Sequence, residues 1–184
     1  ALGHLHSCAL LSDESVKCWG WNTDGGLGDG TTTNRTSPVS LIGASSVKDI
    51  AAVFRSTCVL YKNGTVKCVG QNNFGQLGDE TRTHRTSLVS GTGITNGTKI
   101  VGGAGSYCVL LSDSTIKCWG SNSRGQLGDG TTTERLSPVT ATGISNAIDI
   151  SANGKEVTNE GVTCAILSDN SAKCWGLNNY GQVG

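Results

Sequence analysis

Charge of either sign is scarce in this chain and neither sign is in excess: its 184 residues carry 14 Lys and Arg against 14 Asp and Glu, a formal net charge of zero. The basic residues are scattered singly, so no phosphate-tracking surface is expected and nucleic acid is excluded as a partner class. No run of about 18 apolar residues occurs, which excludes a helical membrane span. No signal peptide is visible, and a mature or truncated chain would show none. Histidine is limited to His4, His6 and His84. Neither a Gly-x-Ser-x-Gly elbow, a His-Glu-x-x-His pair nor a phosphate loop is present, so no catalytic set, cofactor or metal is expected. The apolar residues show no 3.6-residue period, which argues against helices.

What the chain has is repetition. Eight cysteines fall into four pairs, each ten residues apart: Cys8/Cys18, Cys58/Cys68, Cys108/Cys118 and Cys164/Cys174. The first member advances by 50, 50 and then 56 residues. Cys-Trp-Gly recurs at 18–20, 118–120 and 174–176, with Cys68-Val69-Gly70 as the variant. Gly-Gln-Leu-Gly-Asp stands at 75–79 and 125–129, with variants at 25–29 and 181–184. A Thr-rich loop follows, then Ser-Pro-Val at 37–39 and 137–139, then a short apolar strand ending in Ile50, Ile100 or Ile150. A period of this length means one supersecondary unit copied along the chain, each copy burying its apolar face on the next. The repeats run at about 1–50, 51–100, 101–150 and 151–184 of a single domain.

Residues 58–62 and 65–69 are rich in β-branched and apolar side chains and flank Asn63-Gly64. That pattern predicts a hairpin whose two turn residues both take positive φ. The equivalent turns carry Asp13, Asp113 and Asp169, whose short oxygens can cap the turn backbone. With Leu88-Val89 and Lys99-Ile100-Val101 as further strands, each repeat holds about four strands, the size of one β-propeller blade. The fold class is therefore all-β, with about 3.5 propeller blades.

These landmarks, in register over the whole chain, resemble the RCC1 repeat family, seven-bladed propellers named after the regulator of chromosome condensation. The cysteines make the chain similar to a secreted subset of that family. The resemblance implies that the apolar strand before each cysteine hairpin lines a central channel and that the Thr-rich segment leads to the outer strand. A seven-bladed ring needs nearly twice this length, so the chain is expected to be a fragment; two copies closing one ring, or an open array, are the competing arrangements. The second repeat is the most divergent, with Val69 for Trp, Leu88 for Pro and Glu80 for Gly.

Cys8 and Cys18 sit symmetrically about the turn at Asp13, on facing strands. Cross-strand Cβ atoms lie about 4.5–5.5 Å apart, close enough for a disulfide after small adjustment. Four such bonds, Cys8–Cys18, Cys58–Cys68, Cys108–Cys118 and Cys164–Cys174, imply an oxidising compartment and an extracellular, secreted or cell-surface protein. Zinc is disfavoured because pairs 50 residues apart do not converge. A helical Cys-x9-Cys motif fails because the interior holds a turn and alternating strand residues.

Other candidates are weighed against plainer roles. His4-x-His6 puts two rings on one side of a strand, a conceivable metal pair, yet the family places a packing His just ahead of the hairpin. The Gly-Gln-Leu-Gly-Asp glycines read as tight turns, since a phosphate loop needs a helix N-terminus, and Asp29, Asp79 and Asp129 as caps of those turns. Asn34, Asn63 and Asn96 each open an Asn-x-Thr sequon in a predicted loop, which permits N-glycosylation without arguing for it. Trp19, Trp119 and Trp175 recur at one position and read as inter-blade packing. Trp21 breaks its column of Gln71, Ser121 and Leu177, which makes it a candidate partner contact. The six-residue excess before Cys164 falls within 153–160, a polar loop on a regular scaffold, and nominates Lys155, Glu156, Asn159 and Glu160 as further contacts.

The expected function is a non-enzymatic protein-binding module whose partner is another protein or copies of itself. A structural subunit of an extracellular filament or surface assembly is the alternative, and an enzyme with its site outside this stretch is a third.

Overall fold

The computed structural model describes residues 1–90, 93–155 and 160–184. Among them the chain is all-β, with fourteen strands in four antiparallel sheets. The first sheet holds β1 (His6–Leu10), β2 (Val16–Gly20) and β3 (Arg35–Ser40). The second is complete, with β4 (Val47–Val53), β5 (Ser56–Tyr61), β6 (Val66–Gly70) and β7 (Arg85–Ser90). The third repeats it as β8 (Gly97–Gly103), β9 (Ser106–Leu111), β10 (Ile116–Gly120) and β11 (Arg135–Thr140). The fourth holds β12 (Ala147–Lys155), β13 (Glu160–Leu167) and β14 (Ala172–Gly176). Each sheet runs in chain order, so it is a meander built from local hairpins. β8 touches both β4 and β12, which makes these three the inner strands of successive blades. The segments expected at the channel are therefore there, and they run on past Ile50, Ile100 and Ile150 to Val53, Gly103 and Lys155. The second, third and fourth sheets open on their inner strand, so each of these blades starts a few residues ahead of the repeat as counted along the sequence.

The hairpin loops correct one expectation. The N–H of Tyr61 donates to the Thr65 carbonyl at 2.9 Å and that of Gly64 to the Tyr61 carbonyl at 2.9 Å, which leaves a three-residue loop, 62–64. Gly64 has φ +81°, and Asn63 is not among the residues of positive φ. This is a type I turn closed by one left-handed residue, rather than a turn with both residues left-handed. Glu14, Ser114 and Asn170 take the same place with φ of 66°, 64° and 66°. A non-glycine tolerates it because the preceding residue holds the loop. Asp13 Oδ1 accepts the Ser15 N–H at 3.1 Å and its hydroxyl at 2.6 Å, and Asn63, Asp113 and Asp169 do the same for Thr65, Thr115 and Ser171. Those hydrogen bonds hold the three Asp carboxyls below their ordinary range.

Each cysteine pair occupies directly opposed positions of one hairpin, with Cα atoms 4.1 Å apart and sulfurs at 2.03–2.14 Å. Beyond the first three pairs, Trp-Gly or Val-Gly ends the strand at a bulge where the register with the outer strand shifts. Gly70 shows why no other residue fits there. Its φ is +108°, and a Cβ would lie 2.3 Å from the Arg55 carbonyl oxygen.

The cores lie between blades rather than within them. One cluster joins Val16, Leu27 and Leu41 of the first blade to Val59 and Val69 of the second. The next joins Leu60, Val66 and Leu77 to Tyr107, Val109 and Trp119. The third joins Ile116, Leu127 and Ile144 to Ile150, Ala165 and Leu167. Trp119 and Trp175 are inter-blade side chains. Their indole N–H groups donate to the Gln76 and Gln126 carbonyls of the blade before, at 2.9 and 3.0 Å. Gly78 and Gly128 open the room, since a Cβ would stand 3.1 and 2.8 Å from those indole nitrogens.

Candidate partner-binding face

The short turn between β4 and β5, that between β8 and β9, the end of β2 and the hairpin of β12 with β13 all lie at one end of the sheets. Trp21 follows β2 directly, its N–H donating to the Leu5 carbonyl at 2.9 Å. It is 36% exposed, whereas Ser121 and Leu177 at the same position are buried. The Arg55 guanidinium lies 5.4 Å from the Trp21 ring centre, a cation–π contact worth about 0.5–1 kcal/mol at an exposed site.

Arg55 in turn starts a polar chain across the blades. Its Nη1 meets Asp24 Oδ2 at 3.3 Å; Asp24 Oδ1 meets His84 Nδ1 at 3.2 Å; His84 Nε2 lies 2.9 Å from Asn73 Oδ1. Arg82 donates to the Asn73 carbonyl and pairs with Glu134 of the third blade at 2.8 Å. Each surface pair contributes little alone. Together they hold charged side chains of both signs and one indole over three blades.

Tyr107 supports this chain from below. Fully buried in the third blade, it stacks on Trp119 with ring centres 5.9 Å apart and sends its hydroxyl into the β4–β5 turn. That hydroxyl donates to the Ser56 carbonyl at 2.9 Å and accepts the Val53 N–H at 3.2 Å. Burial drives its ionisation well above the usual phenol range, so it stays a neutral donor. The clamped turn puts Phe54 at φ +49°, unusual for a bulky residue, packed edge-on against Phe74 at 5.9 Å. Arg55 is thus presented by a turn with no freedom to relax. Beside it opens a cleft of about 500 Å³, lined by His4, Phe54, Gly103, Ala104 and Asn153 among others.

The excess before Cys164 is not a loop grafted onto a finished hairpin, as expected, but a longer hairpin. Past Asn153 with Val162, the counterpart of the last pair in the second and third blades, β12 and β13 continue to pair through Gly154 with Gly161 and Lys155 with Glu160. Gly154 and Gly161 let it lie on the neighbouring blade, since their Cβ atoms would stand 2.5 and 2.9 Å from the Ala104 Cβ. Glu160 is half-buried at the root of this extension. Of the other nominated contacts, Lys155 ends β12 while its side chain, like Glu156 and Asn159, lies outside the described residues.

The sequons separate. Asn34 is exposed near Trp21, with Oδ1 accepting the Asn22 N–H at 2.7 Å. Asn63 and the half-buried Asn96 sit together at the opposite end, where the Gly97 N–H donates to the Gly64 carbonyl at 2.9 Å. The histidines show no metal arrangement: among the described residues no group of three His, Cys, Asp or Glu could hold an ion. His6 is buried, with Nε2 2.8 Å from Thr57 Oγ1. The Thr57 hydroxyl proton goes to the Gly26 carbonyl at 2.9 Å, so His6 Nε2 is the donor in this pair.

Sequence reasoning missed the residue on which the loops of this face depend. Asn22, Asn72 and Asn122 are fully buried. Asn122 Nδ2 donates to Asp129 Oδ1 at 3.1 Å and to the Thr131 and Thr133 carbonyls at 3.1 and 2.9 Å, while its Oδ1 accepts the Leu127 N–H at 3.0 Å. Asp129 then takes the Thr131 N–H and hydroxyl on one oxygen and Arg135 on the other. The Asp is therefore more than a turn cap: it links Asn, Thr and Arg in one network, repeated around Asp29 and Asp79. Burial alone would raise these carboxyls, but the hydrogen bonds from Thr, Arg and Asn outweigh it and hold them low. The signal was present, as Gly-x-Asn follows every second cysteine. Arg55, Asp24 and His84 were also missed, although Arg55 breaks its column (Leu5, Gly105) as Trp21 does.

Burial lowers the His6 pKa from 6.5 to about 4. The folded state thus favours neutral His6, and the stability this carries is intact above pH 6.5 and lost as pH falls toward 4. The full effect is about 3 kcal/mol. Unfolding by urea from pH 7 to 4 is expected to show it, and His6→Gln should flatten the slope between pH 6.5 and 4. A slope unchanged in the variant would assign the acid sensitivity to the Asp networks alone.

The description "Regulator of chromosome condensation (RCC1) repeat" belongs to the family model that matches residues 1–25, 47–76, 98–126 and 162–182, and a second RCC1 repeat model matches 118–155. No curated protein matches the chain by sequence. Among solved structures it is similar to yeast RCC1 (Prp20) bound to Kap60, with TM-score 0.81, 22% identity, all of this chain and 44% of that one. It is likewise similar to human WBSCR16 (TM-score 0.79, 21% identity, 48% of that chain) and to Prp20p of Saccharomyces cerevisiae (0.80, 25%, 45%). The chain thus spans a little under half the length of the structures it matches. With the repeat models matching more than half of its residues and four consecutive blades of the corresponding architecture, the chain belongs to the RCC1 repeat family.

Proposed function

We propose that this chain is part of an extracellular, non-enzymatic propeller that binds another protein through the face carrying Trp21, Arg55 and the β12–β13 hairpin. The observation that carries the reading is Trp21: an indole left exposed at a position buried in the third and fourth blades, held by Arg55 on a turn that Tyr107 locks. Rigid aromatic and Arg side chains are the residue types that dominate protein interfaces, because they bury area at low entropic cost. The extracellular part rests on eight cysteines, all paired in hairpins with no free thiol among the described residues. The similar structures of yeast Prp20 concern its binding to Kap60, Gsp1p and histones. Those partners belong to Prp20, and they support only the class of partner, a protein.

A photo-crosslinking residue at position 21, with a control at position 62 on the opposite end, tests the face in native material. Adducts at 21 alone are expected. Trp21→Ala and Arg55→Ala should then weaken binding of the purified crosslinked protein at least tenfold without shifting the melting temperature appreciably. Equal adducts at both ends, or unchanged binding, would place the interface elsewhere.

A further inference from the structure

Four residues of the face depart from the chain's own repeat, and the fold brings all four to one seam. Trp21 stands where later repeats carry Gln71, Ser121 and Leu177, and Asp24 where they carry Phe74, Arg124 and Tyr180. Arg55 takes the place of Leu5 and Gly105, and His84 that of Asn34 and Glu134. Trp21 and Asp24 belong to the first blade, Arg55 and His84 to the second. At the next seam these places hold Gln71, Phe74, Gly105 and Glu134, a set with neither a histidine nor a cation.

His84 has both ring nitrogens engaged. Nδ1 lies 3.2 Å from Asp24 Oδ1, and Nε2 lies 2.9 Å from Asn73 Oδ1. Both oxygens only accept, so keeping both contacts takes two N–H donors, which imidazolium has and neutral imidazole lacks. Loss of the proton forces a choice: one contact is given up, or the Asn73 amide turns over to donate. Arg82 holds the Asn73 carbonyl, so the amide turns without its backbone.

Asp24 is the branch point. Its Oδ1 meets His84, its Oδ2 meets Arg55 Nη1 at 3.3 Å, and the Arg55 guanidinium lies over the Trp21 ring. Asp24 is 14% exposed against 39% for His84, so water screens the carboxylate less than the imidazole. The other charges on this loop are matched elsewhere, Arg82 by Glu134 and Arg85 by Asp79.

We propose that His84 is a proton switch for this face, its charge transmitted to Trp21 through Asp24 and Arg55. Histidine changes charge between about pH 5 and 8. With His84 charged, one carboxylate serves two cations, and its hold on Arg55 is shared. With His84 neutral, Asp24 answers to Arg55 alone and draws the guanidinium toward itself, away from the indole. Asp24 and Glu134 balance Arg55 and Arg82, so a protonated His84 leaves the face positive in mild acid. As regulation of binding this rests on the function proposed above; the switch itself is read without a partner.

The isotope-labelled 184-residue chain, followed by NMR from pH 8 to pH 5.5, provides the test. That range stays above the titration of buried His6, lowered to about 4. His84→Gln and Trp21→Phe assign the imidazole and indole signals. The Trp21 indole N–H signal is expected to shift with the same midpoint as the His84 ring, and to stay fixed in His84→Gln. In Asp24→Asn the His84 ring should still titrate while the Trp21 signal no longer follows it. Arg55→Lys breaks the same link without removing the charge, should Asp24→Asn disturb its loop, and is expected to reduce the Trp21 shift at least threefold. A Trp21 signal that ignores the His84 midpoint in the parent, or follows it undiminished in both link variants, would overturn the switch. Absence of adducts at position 21 would instead remove the binding face and leave this result to stand or fall by itself.

Discussion

Replacing Asn122 by Ala is expected to cost about 3–5 kcal/mol of unfolding free energy, more than any surface change on this molecule. The side chain is fully buried, and its loss strips a donor from the Thr131 and Thr133 carbonyls, an acceptor from the Leu127 N–H and a neutral partner from Asp129. An unmet buried polar group costs about 1–3 kcal/mol, and several are left at once. Asn122→Asp should be worse still, since it sets a second carboxylate about 3 Å from Asp129 in place of the amide N–H. Urea unfolding of both variants against the parent settles it. A loss under about 1 kcal/mol for the alanine variant would mean that water substitutes for the amide and that the Asn–Asp–Thr–Arg network is ornamental.

Reduction of the cysteines is the second change of large expected effect. Each bond closes an 11-residue ring, worth about 3 kcal/mol in the chain-entropy model, so the four together are on the order of 10 kcal/mol. That matches the entire stability of a typical domain, and the reduced chain is expected to be unfolded at room temperature. The order of reduction is also expected to be uneven. Cys8–Cys18, Cys58–Cys68 and Cys108–Cys118 are buried, whereas Cys164 and Cys174 are half-exposed and should yield first. Mass spectrometry after alkylation, read beside circular dichroism, follows both. Eight thiols alkylated without reductant, or a reduced chain that keeps its sheet signal, would remove the ground for an oxidising compartment.

Most of the fold was legible because the repeats are local. Asn63-Gly64 between apolar runs marked a hairpin, and the ten-residue cysteine spacing put Cys58 opposite Cys68 across it. Trp119 and Trp175 announced inter-blade contacts by recurring at one position of the repeat. The turn type was misread because sequence alone does not show that Asn63 spends its side chain on Thr65, which keeps Asn63 out of the left-handed region and passes that burden to Gly64. The Asn22, Asn72 and Asn122 amides were overlooked since asparagine in a Gly-rich stretch reads as an ordinary turn residue, and only a buried network distinguishes them. The candidate face was half legible: Trp21 stood out as an irregular residue, but Arg55, Asp24 and His84 are brought to it by the packing of one blade on the next.

The lengthened β12–β13 hairpin shows where this architecture can grow. Six additional residues were absorbed without disturbing the Cys164–Cys174 register, because they extend the ladder outward and two glycines, Gly154 and Gly161, let it pass close over Ala104 of the neighbouring blade. The corresponding tips at Phe54-Arg55 and Ala104-Gly105 close after two residues and have no such slack, bound as they are by Tyr107 and by the Phe54 ring. A foreign recognition sequence spliced between Lys155 and Glu160 would therefore be carried as cargo by a frame that does not register its length, whereas the same splice in the second blade would have to break the Tyr107 clamp to be seated.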